Sequence, residues 1–410
     1  MKKKRKININ FLLPILLLML LASCTSTKLL QNNNFAVNIL DGPLKALTGM
    51  QVYGATPDSI DIYLQIDPSL LIPHTLPDST KFLSFSLQCM IFPSFSKKLI
   101  IDSSTFRTGP LSINQTEKLI FKHSLKAPLG QSYYLCFKPS SEKFMNWNFT
   151  YVDRNFVQSQ NHFLINFDYK TPVFHPEDFI NKPLFIQYSQ SNKDSVLFLR
   201  RVDIASCRRV PPFMMKTETC NLKFTQTKSV KIHEGKSEKF LLNQGGLYLI
   251  QTDTSALGAG SFLVINQEFQ HWLYLTSLRY ITDNDEFVEV WRGDIGLLDF
   301  WENIAGSTQR TIELSKRFNY AVNMANLLFT RTLPGCLTDR GMIYIVFGPP
   351  DVIYEDDELE TWVYRGFRQQ RDLFFNFRKE WILPVGFEYT LERSPEYTQL
   401  WYEAIERWRR

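Results

Sequence analysis

The chain has 410 residues, 44% hydrophobic and 21% charged, with only 18 Gly and 20 Pro. These fractions exclude a disordered, collagen-like or polytopic membrane protein, and the length predicts two or three domains, each large enough to bury a core. The formal charge of +5 is carried in full by Lys2, Lys3, Lys4, Arg5 and Lys6, so the chain from Cys24 onward is formally neutral and the electrostatic case for a nucleic-acid partner disappears.

The five positive residues are followed by an apolar run, Phe11 to Leu21, and by Leu21-Ala22-Ser23-Cys24. Such a prefix reads as a secretory signal. The tetrapeptide resembles the lipobox of bacterial lipoproteins, whose cysteine thiol takes a diacylglycerol and whose amine is then freed for a further acyl chain. At about eleven residues the run falls short of the ~20 that span a bilayer as a helix. A signal peptide at 1–23 and lipidation at Cys24 are therefore expected, with the membrane as partner through that lipid. The resemblance implies a Gram-negative envelope. Thr25 stands where an aspartate would signal inner-membrane retention, and residues 25–34 hold no acidic residue of the kind that accompanies surface export in some Bacteroidota. An outer-membrane protein on the periplasmic face is the expectation. Residues 24–34 read as a tether with a random-coil span of about 17 Å.

From 35 to 268 the pattern is short β-rich runs cut by turn residues. Ile60, Ile62, Leu64 and Ile66 alternate on one face, as in a half-buried strand. Phe82 to Leu87, Lys98 to Ile101, Leu119 to Phe121 and Tyr133 to Phe137 repeat the signal. A polar stretch, Asp153 to Asn161, marks a boundary. A second set runs through Phe163–Phe167, Leu184–Tyr188, Val196–Val202, Lys239–Leu242, Leu247–Thr252 and Ser261–Ile265. The spacing predicts two all-β, immunoglobulin-like sandwiches, at 35–155 and 160–268.

Near 270 the character changes, and seven of the eight Trp lie beyond that point. Thr282 with Asp285 resembles a capping box opening a short helix that Gly293 stops. Asp294 is the expected cap of a second helix, and Leu314, Phe318, Val322, Ala325 and Phe329 mark a third at helical spacing. After Pro334-Gly335, the run Met342 to Phe347 is apolar on both faces and reads as a central strand ended by Gly348-Pro349-Pro350. Glu360–Tyr364 and Leu373–Phe377 predict further strands. Ser394 and Pro395 then read as N-cap and first residue of a terminal helix with Tyr397, Leu400, Trp401, Ala404, Ile405 and Trp408 on its apolar face. The fold class is multidomain, with an α+β unit at 270–410 after the two sandwiches.

Gly335-Cys336-Leu337-Thr338-Asp339-Arg340-Gly341, then Ile343-Tyr344-Ile345 and Gly348-Pro349-Pro350-Asp351, resembles the GWxTD domain of bacterial envelope proteins, common in Bacteroidota. Glu360-Thr361-Trp362 and Tyr364 match that family's next strand, and Cys336 occupies its tryptophan position. The resemblance spans roughly 270–380. It implies an extracytoplasmic lipoprotein with β-sandwich domains upstream and no established reaction. Physically, Thr338 and Asp339 are turn residues that bond backbone amides, and Arg340 is suited to a bidentate carboxylate pair, with Asp351 or Asp339 as candidates. Gly341 permits a positive φ or a close approach. A turn with a buried ion pair and a binding surface are the two readings of these residues.

Catalytic patterns such as HExxH, GxSxG and GxxxxGK[ST] are absent from the sequence. The six His include no i, i+3 or i, i+4 pair, so no local metal site or cofactor is expected. The acidic run Glu355-Asp356-Asp357-Glu358 reads as a solvated loop, the arginines 200, 201, 208 and 209 as an exposed strand end and loop, and Tyr397, Trp401 and Trp408 as a core face. Export places the thiols in an oxidising compartment, and Cys207 and Cys220 bracket a short Pro-containing loop, so a disulfide between them is expected. Cys89 and Cys136 form a second candidate pair across the first sandwich. The leading expectation is an envelope lipoprotein acting as a structural or protein-interaction module with a possible envelope protein partner. The alternative is an envelope hydrolase or carbohydrate-binding protein with its site near Asp339, Arg340 and Asp351.

Overall fold

The computed structural model describes residues 46–93, 99–139, 148–155, 159–189, 194–204, 209–215, 223–255, 258–356, 358–368, 371–382 and 386–409. Cys24, Cys207 and Cys220 lie outside them. The structure is mostly β-sheet, with helices and strands combined in its C-terminal part. No helix among the described residues is long and apolar enough to cross a membrane.

The first unit has β1 (Leu47–Thr56), β2 (Ser59–Ile66), the two-residue hairpin strands β3 (His74–Thr75) and β4 (Lys81–Phe82), β5 (Ser86–Phe92), β6 (Asp102–Arg107), β7 (Leu119–Lys126), β8 (Ser132–Pro139) and β9 (Asn148–Asp153). They form a three-stranded sheet, β1-β2-β7, and a four-stranded sheet, β6-β5-β8-β9. Ile60, Ile62, Leu64 and Ile66 face one core with Leu87, Cys89, Ile91, Tyr133, Leu135 and Phe137 from the other sheet. Each such side chain contributes about 1.5–3 kcal/mol by leaving water. The strand expected at Lys98–Ile101 begins later, at Asp102. Cys89 and Cys136 are not joined by a disulfide, which corrects their expected pairing. Cys136 lies opposite Met90 in the ladder and shares a small cluster with it, whereas Cys89 points to the core on the other face. Alternation along β5 separates the thiols.

The second set comprises β10 (Phe163–Asn166), β11 (Phe185–Tyr188), β12 (Ser195–Asp203), β13 (Lys223–His233), β14 (Lys236–Ser237), β15 (Gly246–Gln251) and β16 (Gly260–Val264). Here the expectation of a two-sheet sandwich is corrected. These strands form one seven-stranded sheet, β10-β11-β14-β13-β12-β15-β16, which coils so that Gly260 of β16 meets the Phe163 ring of β10; a Cβ at Gly260 would stand 2.7 Å from it. β13 is the longest strand of the set, yet eight of its eleven residues are exposed and polar, so it lacks the apolar run that marks a strand in the sequence. Lys239–Leu242 supplies isolated bridges from Phe240 and Leu242 rather than a strand. Within the polar stretch at the first boundary, Arg154, Ser159 and Asn161 are buried at the junction, as is the following His162, while Asn155 and Gln160 are exposed; the Asn161 side chain donates to Val52 O of β1 at 3.3 Å.

β15 explains why the next unit has no clean start. Tyr248 and Ile250 face the core of the coiled sheet, while Leu247 and Leu249 face a second core filled by helices. Those helices are α1 (Gln267–Leu278), α2 (Asn284–Arg292), α3 (Leu297–Ala305), α4 (Thr308–Phe329), α5 (Asp339–Phe347) and α6 (Tyr397–Arg409), and an antiparallel sheet of β17 (Val352–Glu355), β18 (Leu359–Arg368), β19 (Arg371–Ile382) and β20 (Gly386–Leu391) packs with them. The capping box is shifted by one residue from the expected place, with Asp283 and Glu286 exchanging bonds, and Gly293 ends α2 at φ 79°. Gly296, not Asp294, caps α3. α6 starts at Tyr397, after a turn in which Tyr397 N–H bonds Ser394 O.

The largest correction concerns 342–347, which is the helix α5 and not a strand. Every residue from Asp339 to Val346 is buried. A segment enclosed on all sides is apolar at every position whichever period it follows, so the pattern cannot separate helix from central strand. Thr338 starts the helix by accepting the Gly341 N–H.

Candidate functional site

The motif is the corner between α4 and α5. Past Phe329, Thr330 Oγ1 donates to Asn326 O at 2.6 Å and accepts from Gly335 N–H at 2.9 Å. Asn326 Oδ1 accepts from Cys336 N–H at 3.0 Å, and Thr338 Oγ1 donates to Gly335 O at 2.8 Å. Both glycines are required by close approach, not by positive φ. A Cβ on Gly335 would lie 1.9 Å from Ala325 O, and one on Gly341 would lie 1.8 Å from Gly335 O. The short turn Gly335–Leu337 is thereby pressed between two helices.

Cys336, at the family's tryptophan position, is fully buried. Its carbonyl accepts from Tyr280 Oη at 3.0 Å, and burial pushes the thiol up to about 12, against the opposing hydrogen bonds of Ser277 and Asn326. Such a thiol is inert.

Asp339 does not bond a neighbouring amide of its own turn. It reaches across the unit, accepting from Leu391 N–H at 3.0 Å and from Arg393 Nη2 at 2.6 Å. Arg209 Nε stands 4.0 Å away, an ion pair without a hydrogen bond. Arg393 in turn donates to Val210 O and Pro211 O at 2.7 and 2.8 Å, so one carboxylate joins α5, the end of β20 and the segment 209–211. This corrects the reading of Arg209 as part of an exposed loop: it is buried. Arg200 and Arg201 are occupied too, with Arg200 3.4 Å over the Phe224 ring and Arg201 Nε donating to Gly245 O at 2.9 Å. Arg208 lies outside the described residues.

Arg340 pairs with neither Asp351 nor Asp339. Its Nη1 meets Glu360 Oε2 at 3.4 Å, and its guanidinium lies 3.8 Å over the Tyr389 ring and 5.0 Å from that of Phe329. Glu360 also accepts from Trp362 Nε1 at 2.7 Å, so the motif arginine and the buried tryptophan share one carboxylate. Burial alone would lower the Arg340 pKa, but Glu360, then Tyr389, Glu388 and Glu355, hold it above its ordinary value. Burial raises the Glu360 carboxyl while Arg340 opposes the rise. Beyond the ring, Tyr389 Oη donates to Glu355, which pairs with Lys379 at 3.1 Å. Glu355 is thus a strand residue in an ion pair and not part of a solvated loop. Nothing in the sequence identified Glu360, Tyr389 or Arg393 as partners, because each is brought to the motif by a different strand or strand end.

Gly348 closes α5 at φ 81°, and its carbonyl accepts from Tyr364 Oη at 2.8 Å. Asp351 follows Pro349 and Pro350 and is exposed, accepting from Arg365 N–H at 2.7 Å. The nine residues of α5 place roughly 13 Å of helix between it and Asp339, so Asp339, Arg340 and Asp351 do not converge on one cleft. Open cavities lie elsewhere. One of about 710 Å³ is lined by Arg201, Asp203, Phe269, His271, Trp272 and Trp291, and one of about 500 Å³ by Tyr134, Tyr151, Lys379, Trp381 and Phe387 among others. Neither is lined by residues 335–341 or 351. On α6, Trp401 and Trp408 are buried, and Trp408 Nε1 donates to Val346 O at 3.1 Å.

A GWxTD domain is found at residues 246–410. Its start coincides with β15, the strand whose two faces serve two cores, and lies upstream of the 270 read from composition. A search of curated proteins returned no match to the chain.

Proposed function

We propose that the protein is a lipid-anchored envelope protein of the Bacteroidota type, held through acylated Cys24 on the periplasmic face of the outer membrane. Its GWxTD domain acts as a structural and protein-interaction module and not as an enzyme. The first unit, with two sheets over one core, is read as an immunoglobulin-like spacer. The single observation that carries the non-enzymatic reading is that the motif is a filled corner. Gly335, Cys336, Thr338, Asp339, Arg340 and Gly341 are all buried, and their polar side chains are turned to partners of the same chain. A hydrolytic pair needs carboxylates that reach a substrate, and Asp339 and Glu360 are both committed to buried guanidinium groups. The anchor reading is supported by the charged and apolar prefix before Cys24.

Crosslinking followed by affinity purification from native membranes tests the module. A reproducible envelope protein partner is the expected result. Hydrolysis of an envelope polymer that is lost in Asp339→Asn with unchanged stability overturns the reading in favour of a hydrolase. Protease shaving of intact cells checks the membrane face, since digestion without lysis would place the protein on the surface.

A further inference from the structure

We propose that the loop following β2 is a membrane-contacting tip that seats apolar side chains in the lipid surface holding the N-terminus. The proposal rests on the reading of Cys24 as lipidated. The register identifies one end of the first sheet: Leu47 opposes Ile66, and Ile66 opposes Leu119, so the start of β1, the end of β2 and the start of β7 lie together. At that end Asp67 N–H bonds Ala46 O at 2.8 Å, beside the first described residue. Cys24 precedes Ala46 by 22 residues, and a chain of that length reaches at most about 75 Å and would span about 26 Å as a flexible coil. An acylated Cys24 therefore keeps this end near the bilayer.

The same end presents large apolar groups to solvent. Ile72 is 83% exposed, Leu70 51%, Leu76 44%, and Ile113 of the loop before β7 is 50% exposed. Isolated exposed leucines need no account, but four at one end of one sheet do. The loop is held in shape. Pro68, Pro73 and Pro77 fix φ along it, and Asp67 caps the turn Pro68–Leu70 by accepting from Ser69 N–H at 3.0 Å. β3 and β4 then pair through a turn in which Leu76 N–H bonds Thr80 O at 2.9 Å. Leu111 exchanges two hydrogen bonds with Leu83, bringing the Ile113 loop alongside. Leu71 packs toward the first core while Leu70 and Ile72 stay out, so anchoring one side chain orients the others. Between 67 and 82 there are two aspartates and one lysine, which gives no electrostatic attraction to anionic headgroups; the contact is apolar. Leu99 and Ile100 are also exposed but belong to the other end of the sheet, next to Asp102, whose carboxylate accepts from Lys126 N–H at 2.7 Å.

The test uses the full chain, purified from membranes and reconstituted in phosphatidylcholine vesicles, with an environment-sensitive fluorophore on Ile72→Cys or, as comparison, on the exposed Asn303→Cys of α3. The native thiols at 89, 136 and 336 are buried, and unsubstituted protein measures residual labelling. Quenching by spin-labelled acyl chains should be at least fivefold stronger at 72 than at 303 and should persist in 0.5 M salt. Adding Leu70→Ser and Leu76→Ser, both surface changes, should remove most of that difference. Equal quenching at the two positions, or quenching abolished by salt, overturns the proposal. Protection of position 72 in native membranes but not in pure vesicles makes the occupant a protein and also overturns it. Intact mass of the same sample separates the two ideas: an unacylated Cys24 defeats the anchor reading and this proposal together, while an acylated chain with an unquenched probe defeats this proposal alone.

Discussion

Arg154, where the first unit meets the coiled sheet, and Arg340, in the corner between α4 and α5, face the same physical problem and solve it differently. Each is a guanidinium withdrawn from water. Arg154 is held by carbonyls, donating from Nη2 to Thr56 O at 2.6 Å and Pro57 O at 3.1 Å and from Nε to Ala127 O at 3.2 Å, and burial lowers its pKa. Arg340 is held by a carboxylate and two aromatic faces, and its pKa is raised. Carbonyl dipoles can tie chain segments together at a junction without a second charge, whereas a site enclosed by helices and a sheet requires a counter-charge for its cation. The motif arginine is therefore a brace whose partner is as necessary as itself.

Removing each cation should separate the two solutions most clearly. Arg340→Ala strands Glu360 in a dry site and is expected to cost ~3–5 kcal/mol. Arg154→Ala leaves neutral carbonyls behind and should cost less, about 1–3 kcal/mol. Denaturant midpoints of the two variants, measured side by side, should fall in that order; an unchanged midpoint for Arg340→Ala would end the structural account and return the residue to the list of functional candidates.

A second difference is acid sensitivity. His162, beside Arg154, is fully buried, and burial followed by the Arg154 charge lowers its pKa to about 4. An unfolded imidazole takes its proton near 6.5, so between about 6.5 and 4 the unfolded chain binds more protons than the folded one. Stability from this group is fully present above ~6.5 and is lost as pH falls through that window, by on the order of 3 kcal/mol in all. Urea titrations at several pH values should show this slope in the wild type and a shallower one in His162→Gln; parallel curves would remove the histidine from the account.

Asp339→Asn keeps an acceptor for Leu391 N–H but removes the charge that Arg393 and Arg209 share. Because Arg393 retains its two carbonyls, the loss is expected at about 2–3 kcal/mol. Thermal unfolding would check it, and a stabilised variant would show that the two arginines do not depend on the carboxylate. The smallest effect is expected at Cys336→Ala, about 1 kcal/mol for a vacated sulfur. Cys336→Trp should cost more than Cys336→Ala, because Ser277, Tyr280 and Asn326 already enclose the site. Calorimetric midpoints in the reverse order would mean that a space for the family's indole persists here.

Much of this was legible before folding. Alternation in Ile60–Ile66 announced a half-buried strand, the spacing of Leu314, Phe318, Val322, Ala325 and Phe329 announced α4, and Gly335 to Asp351 with Trp362 pointed to the GWxTD domain found at 246–410. Those signals are local: they depend on neighbours two to four residues apart, whose relation the backbone period sets. Three matters were decided only in three dimensions. Burial on every side hid the period of Met342–Phe347, so a helix looked like a central strand. Both faces of β15 were covered, so the domain began inside a sheet and not where the tryptophans begin. Partners also came from afar: Glu360 and Tyr389 to Arg340, and Arg393 to Asp339, each delivered by a strand or strand end whose register depends on how the sheet packs. A side chain's type states what partner it needs, and only the packing of distant segments states which residue supplies it.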